Sequence, residues 1–309
     1  MKETLGTIVV GYDFSGAATE AARVAFAIAQ KTRSRVHAVL VMERRYERQL
    51  VEHADTFFSS RGGSSKESAV QRAKEHLQAR LEVNLRALRP SGVPLGVEVA
   101  RGKPFKEILR VAVEVEAGLI AVGATGISKT EQWVLGSTAE RLARRSTIPT
   151  LVVRRDSQWE PRRILCPVDY SPGSETAFAE ALWLARITGA SLHVLHVIAG
   201  TEAAELETLG LLNRNDVKRY FEVTRQRAER EMESFLAGVD LEGVSLERQI
   251  LHGRPHGTIT AHAREIDADV IVMGGLGRNE ISDLLIGNTT ERVLRTMPCS
   301  MLTVKPGRN

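Results

Sequence analysis

At 309 residues, 43% of them hydrophobic, the chain has the length and apolar material for two ordinary cores. No run approaches the roughly 20 uninterrupted apolar residues of a membrane helix, and a charged start leads straight into a strand, so no signal peptide and a cytoplasmic location are expected. The net charge of +4 is uneven, with 25 Lys/Arg against 17 Asp/Glu in residues 1–156 and 17 against 21 in residues 157–309.

The first predicted strand, Thr7-Ile-Val-Val-Gly-Tyr, closes on Asp13-Phe-Ser15, and an alanine-rich helix with an apolar stripe follows over 19–29. A second strand covers 35–42 and ends near Val41. Residues 43–63 read as a polar, partly helical insertion running into a flexible Ser/Gly loop over 59–65. Ser64, with Glu67 three residues on, is a capping box for a helix reaching Leu88. That helix carries Arg72, Lys74, Arg80 and Arg86, with Arg89 beyond it, scattered and without interleaved aromatics. Solvated helix faces explain them better than nucleic-acid binding does. A fourth strand ends at Gly123, where a signature begins: Gly123, two residues, Gly126, nine residues, Gly136-Ser137-Thr138. A last helix and a closing strand over 150–153 complete the half, and Trp159 and Pro161 mark a short, partly packed linker.

The second half repeats this order. Residues 7–15 recur as 163–171 and 35–42 as 191–198, both at an offset of 156, and Gly102-Lys-Pro104 recurs as Gly253-Arg-Pro255 at 151. The same offset carries the glycine signature to Gly274, Gly277 and Gly287-Asn288-Thr289. Apolar runs without polar alternation, separated by helical segments, predict strands covered on both faces. The expected fold is therefore α/β: two tandem, doubly wound, parallel five-stranded sheets with helices on both faces, divided as 1–156 and 157–309. Residues 203–212, with Leu206, Leu209, Leu211 and Leu212, form an extra apolar helical piece expected to pack on the core, with a lid or partner surface as the alternative. Cys166 and Cys299 have no metal or redox spacing and read as buried free thiols.

In such a sheet the ligand crevice lies at the carboxyl ends of the strands, where strand order reverses. Gly123 and Gly274 at strand ends suit a sharp turn with positive φ and close approach to a ligand. Gly136-Ser137-Thr138 and Gly287-Asn288-Thr289 suit phosphates at a helix N-terminus, although the same residues could simply cap the helix. Asp13 and Asp169 could hold a ribose, orient a base or bind Mg2+ beside phosphates, or could fold a local turn. Val41 and Val197 end the strand where an adenine ring would lie.

An Asp ending the first strand and Gly-x-x-Gly-nine-Gly-Ser/Thr after the fourth, twice over, resemble the universal stress protein family in its tandem form. The runs Ile-Leu-Cys-Pro-Val-Asp169-Tyr-Ser and Ala268-Asp-Val-Ile-Val-Met-Gly274 are especially similar. The resemblance implies an adenine nucleotide alpha hydrolase-like fold and an ATP-binding subgroup. Its first-strand Asp and second-strand Val hold the adenosine end, and its glycine loop and Ser/Thr hold phosphates. Carried over, the binding residues are Asp13, Val41, Gly123, Gly126, Gly136, Ser137 and Thr138, then Asp169, Val197, Gly274, Gly277, Gly287, Asn288 and Thr289. Asn288 departs from the usual Ser. Gly118 stands where the second copy has Asp269. The family also implies dimers.

Related superfamily members activate substrates with ATP through a dense Ser/Gly loop after the first strand. Neither Asp13-Phe-Ser-Gly nor Asp169-Tyr-Ser-Pro provides one, and no Walker-type Gly-Lys-Ser is present. His252 and His256 flank Gly253, Arg101 replaces His252 in the first copy, and both histidines read as surface or capping groups. No convergent acid, base and nucleophile is visible. The expectation is an ATP-binding stress-response regulator acting with a protein partner, with Mg2+ carried by the nucleotide and no metal ligands or catalytic residues of its own. The alternatives are a slow ATP hydrolase or nucleotidyl transferase, and an interaction protein holding another small or lipid-like ligand.

Overall fold

The computed structural model describes residues 5–52, 66–125, 135–154, 159–199, 206–211, 213–275 and 286–305. Gly126, Gly277, Ser64 and the loop at 59–65 lie outside the described residues. The chain divides into two compact units, one of Lys2–Leu142 with Thr150–Trp159, the other of Ala143–Pro149 with Glu160–Asn309.

The first copy runs β1 (Thr7–Tyr12), α1 (Gly16–Thr32), β2 (Arg35–Met42), α2 (Arg44–Glu52), α3 (Lys66–Arg86), β3 (Leu95–Arg101), α4 (Pro104–Glu114), β4 (Ala117–Gly123), α5 (Ser137–Arg145) and β5 (Thr150–Val153). The second runs β6 (Arg163–Val168), α6 (Pro172–Thr188), β7 (Ser191–Ile198), α7 (Arg214–Leu236), β8 (Leu246–His252), α8 (Pro255–Glu265), β9 (Val270–Gly274), α9 (Asn288–Thr296) and β10 (Ser300–Val304). Strands lie in the order β3-β2-β1-β4-β5 in the first copy and β8-β7-β6-β9-β10 in the second, paired in parallel within each. Growth away from β1 in one direction and then the other puts right-handed crossover helices on both faces.

Local chemistry explains the elements. Ala17, Ala18, Ala21, Ala22, Ala25 and Ala29 form the buried stripe of α1, small enough to let the helix lie close on the sheet. Its N-cap Ser15 accepts from Ala18 N–H at 3.1 Å, and Ser171 caps α6 with Pro172 preset at the first helical position. Ahead of α4 and α8, Gly102 and Gly253 take φ of 145° and 147°, so one glycine turn serves both copies.

One difference between the copies has a plain steric cause. A Cβ at Gly118 would run into the backbone of Leu5. At the matching place, Asp269 Oδ2 accepts from the backbone N–H groups of Arg162 and Arg163, at 2.7 and 3.0 Å.

Two expectations fail here. Leu206, Leu209 and Leu211 are exposed by 38%, 70% and 69%, so they do not join the core. Helix covers only 206–208 of that described stretch, and Gly210 at φ 70° turns the chain before an apolar face can form. Cys166 is buried, and desolvation pushes its thiol pKa well up, but Cys299 is only half-buried.

Candidate functional site

Each sheet reverses its order between the first and fourth strands of its copy, and the described ones among the expected residues stand at strand ends beside that point or at the start of α5 and α9. In both copies the aspartate does the turn-forming job with a single oxygen. Asp13 Oδ1 accepts from Ser15 N–H at 3.0 Å. Asp169 Oδ1 accepts from Ser171 N–H at 3.1 Å and from its hydroxyl at 2.5 Å. Both aspartates are half-buried, and neither Oδ2 has a hydrogen bond to another described residue among those observed. The turn reading and the ligand reading are thus compatible, one carboxylate oxygen for each. Val41 and Val197 sit one residue before the ends of β2 and β7, paired with Ala100 and Leu251.

The residue after each aspartate was not legible as special. Phe14 and Tyr170 both take left-handed backbone conformations, φ 63° and 62°, which bulky residues ordinarily avoid. Packing holds them there. The Arg80 guanidinium lies 4.2 Å over the Phe14 ring, and Tyr12 meets that ring edge-on. Tyr170 stacks on His196 at 4.6 Å, and its hydroxyl donates to Ala228 O at 3.3 Å. An aromatic in both copies directly after the aspartate was the available signal. No glycine or asparagine announced the backbone.

The strand-end glycines have a cause other than the expected one. Neither Gly123 nor Gly274 is at positive φ. A Cβ on Gly123 would stand 2.6 Å from Ala17 C, and one on Gly274 would stand 2.5 Å from Gly173 O. Glycine is required here because the first turn of α1 or α6 presses against the strand end.

From that end, both chains leave and return through matched backbone bonds. Ala124 N–H donates to Val153 O at 2.8 Å, and Gly136 N–H to Ala124 O at 2.7 Å. The second copy repeats them as Gly275 to Val304 O at 2.6 Å and Gly287 to Gly275 O at 2.5 Å. The N–H groups of Gly136 and Gly287 thus each close the stem of their own loop. Glu140 and Glu291 N–H donate to Gly136 O and Gly287 O at 2.9 and 2.8 Å, closing the first turn of each helix. Gly287 supplies no side-chain cap. Ser137 and Thr138, and Asn288 and Thr289, stand in this first turn. Thr290 was not foreseen: it is buried, and its hydroxyl donates to Gly274 O at 2.8 Å, fixing helix to strand end.

His252 is half-buried at the end of β8, its Nδ1 is closed to solvent without a hydrogen-bond partner among the described residues, and burial lowers its pKa below the ordinary 6.5. Another hydrogen-bonded chain, Ser191 Oγ to His193 Nε2 at 3.0 Å and His193 Nδ1 to Glu247 at 3.3 Å, lies at the amino ends of β7 and β8, the wrong end of the sheet for the crevice. Its hydroxyl also donates to Arg162 O, which ties the strand start. A groove of about 290 Å³ lies between α7 and β8, beside Arg225, Glu233 and Arg248. Among the described residues no group of three His, Cys, Asp or Glu is placed to hold a metal ion, and no helix is long and apolar enough to cross a membrane.

A model of the Universal stress protein family matches residues 4–154 and again 160–305. The chain belongs to this family, with two domains in tandem. It is 27% identical over 235 residues to universal stress protein Rv2005c of Mycobacterium tuberculosis, covering 74% of this chain and 71% of that one. Universal stress protein MJ0531 of Methanocaldococcus jannaschii is 30% identical over 148 residues, 48% of this chain and 81% of that one. Among solved structures, a putative universal stress protein from Pseudomonas aeruginosa superposes with a TM-score of 0.64 at 20% identity, over 99% of this chain and 95% of the other. That last likeness is one of fold.

Proposed function

We propose that this chain is an ATP-binding regulatory protein in which nucleotide occupancy acts as a conformational signal to a protein partner. One observation carries the reading. In each copy, a carboxylate with one oxygen left over from its turn shares the sheet's switch point with the first turn of a helix. An aspartate oxygen suits a ribose hydroxyl or base amine, and successive N–H groups at the positive end of a helix suit phosphates. The proposed contacts are Asp13, Val41, Gly123, Ser137 and Thr138 in domain 1–156, and Asp169, Val197, Gly274, Asn288 and Thr289 in domain 157–309. Gly126, Gly136, Gly277 and Gly287 complete the proposed contacts. Mg2+ would arrive with the ATP phosphates. A cytoplasmic homodimer completes the proposal.

Isothermal titration of the full chain with ATP, with and without Mg2+, tests it. Saturable binding at up to two sites is expected. Absence of heat and of thermal stabilisation at millimolar ATP would sink the reading.

A further inference from the structure

We propose that Thr290 is a positioning residue of the second site: a hydroxyl latch that holds the first turn of α9 against the end of β9. The first copy lacks it. This inference rests on the nucleotide reading above and concerns the phosphate half of one of its two sites.

Thr290 is the third residue of α9, directly after Asn288 and Thr289. Its hydroxyl donates to Gly274 O at 2.8 Å, a carbonyl sixteen residues earlier in the chain. Other helical threonines here turn their hydroxyls inward. Thr188, Thr224 and Thr260 each donate to the carbonyl four residues earlier in their own helix. Thr290 gives its donor to the strand end instead, and it is buried there, so water does not compete for the bond.

Three bonds therefore close the second stem. Gly275 N–H donates to Val304 O, Gly287 N–H to Gly275 O, and Thr290 Oγ1 to Gly274 O. The first copy has counterparts of the first two, from Ala124 and Gly136. At the place of Thr290, by the offset of 151, it has Ala139, buried and without a hydroxyl. The two backbone bonds fix where each loop begins and ends. The third adds the helix turn itself, so the groups proposed to meet phosphates are held relative to β9 before a ligand arrives. A site whose donors are already in place loses less freedom on binding and holds its ligand more tightly. In the first copy that ordering is left to the ligand. Adenosine gains nothing from the latch, because Asp169 and Val197 stand at the ends of β6 and β7, not on α9.

The experiment uses the full chain carrying Asp13→Asn to weaken the first site. ATP and adenosine are titrated against it and against its Thr290→Val and Thr290→Ser variants. Thr290→Val keeps the shape and removes the hydroxyl. It is expected to weaken ATP binding about tenfold, the scale of one hydrogen bond, and to leave adenosine binding within about twofold. Thr290→Ser, which keeps the hydroxyl, should retain the affinity for ATP. A general loosening of the fold would weaken both ligands together, so the ratio of ATP to adenosine affinity separates positioning from stability. The converse variant is Ala139→Ser in a chain carrying Asp169→Asn. It should tighten ATP at the first site about threefold, the low end of that scale, with adenosine unchanged. An unchanged ratio in Thr290→Val would overturn the latch while leaving the nucleotide reading intact. So would an ATP loss that Thr290→Ser shares, or no gain in Ala139→Ser. Failure of ATP to bind the unmodified chain would remove both together.

Discussion

The two crevices share a backbone and differ in what lines it. Both have the one-oxygen aspartate turn, the strand-end glycine pressed by a helix, and the paired stem bonds at 2.7 and 2.5 Å. Around that frame the first copy carries Phe14 under Arg80, with Arg101 and Ser137. The second carries Tyr170 stacked on His196, with His252 and Asn288. Duplication has kept the polar main-chain geometry, which any polyanion could use. The side chains that would distinguish one base, or one phosphate pattern, have diverged. If nucleotide binding is common to both copies, selectivity is where they part.

The strongest way to break the comparison is at the shared glycines. Gly123→Val and Gly274→Val each force a branched side chain into backbone standing 2.5–2.6 Å from the new Cβ. Each should cost about 1–3 kcal/mol or more of stability, read as a lower urea midpoint. An unaffected midpoint in either would show that the helix is not pressed on that strand end. Affinity lost in these variants says little about ligand contact, because the fold itself is strained.

Asp13→Asn and Asp169→Asn sharpen the comparison without that confusion. Asparagine keeps an Oδ1 acceptor for the Ser15 or Ser171 N–H and discards the negative charge. Stability should hold to within about 0.5 kcal/mol, while ATP affinity at the matching site falls about tenfold. If stability falls and affinity does not, the carboxylate serves the turn alone.

Much of the fold was legible because it rests on periodicity and repetition. Apolar runs such as Ile164–Val168, short and set between helical segments, read as doubly covered strands, and matched Gly-x-Pro turns marked where α4 and α8 start. The site was legible as a set of positions and less so as a set of causes. Gly123 looks the same in sequence whether it admits a ligand or a helix, and only the distance to Ala17 decides. Gly136 N–H looks available until its bond to Ala124 O is seen. The exposure of Leu209 and Leu211 depends on where Gly210 turns the chain, which hydrophobicity alone does not state.

The smallest predicted difference lies at the residue after each aspartate. Replacing Phe14 or Tyr170 by glycine relieves a left-handed conformation that costs an L-residue roughly 1–2 kcal/mol. Against this stand the freedom gained by the unfolded chain, about 0.5–1 kcal/mol, and the packing that the ring no longer provides. Around Phe14 that packing is an edge-on tyrosine and a guanidinium, and the sum comes out near zero. Tyr170 also gives up a stack on His196, a tilted approach to Phe235 and a hydroxyl bond to Ala228 O. Tyr170→Gly should therefore cost about 1 kcal/mol more than Phe14→Gly in matched denaturation curves. Equal costs would mean that the second crevice gains no extra rigidity from its aromatic stack. The divergence between the copies would then be confined to recognition.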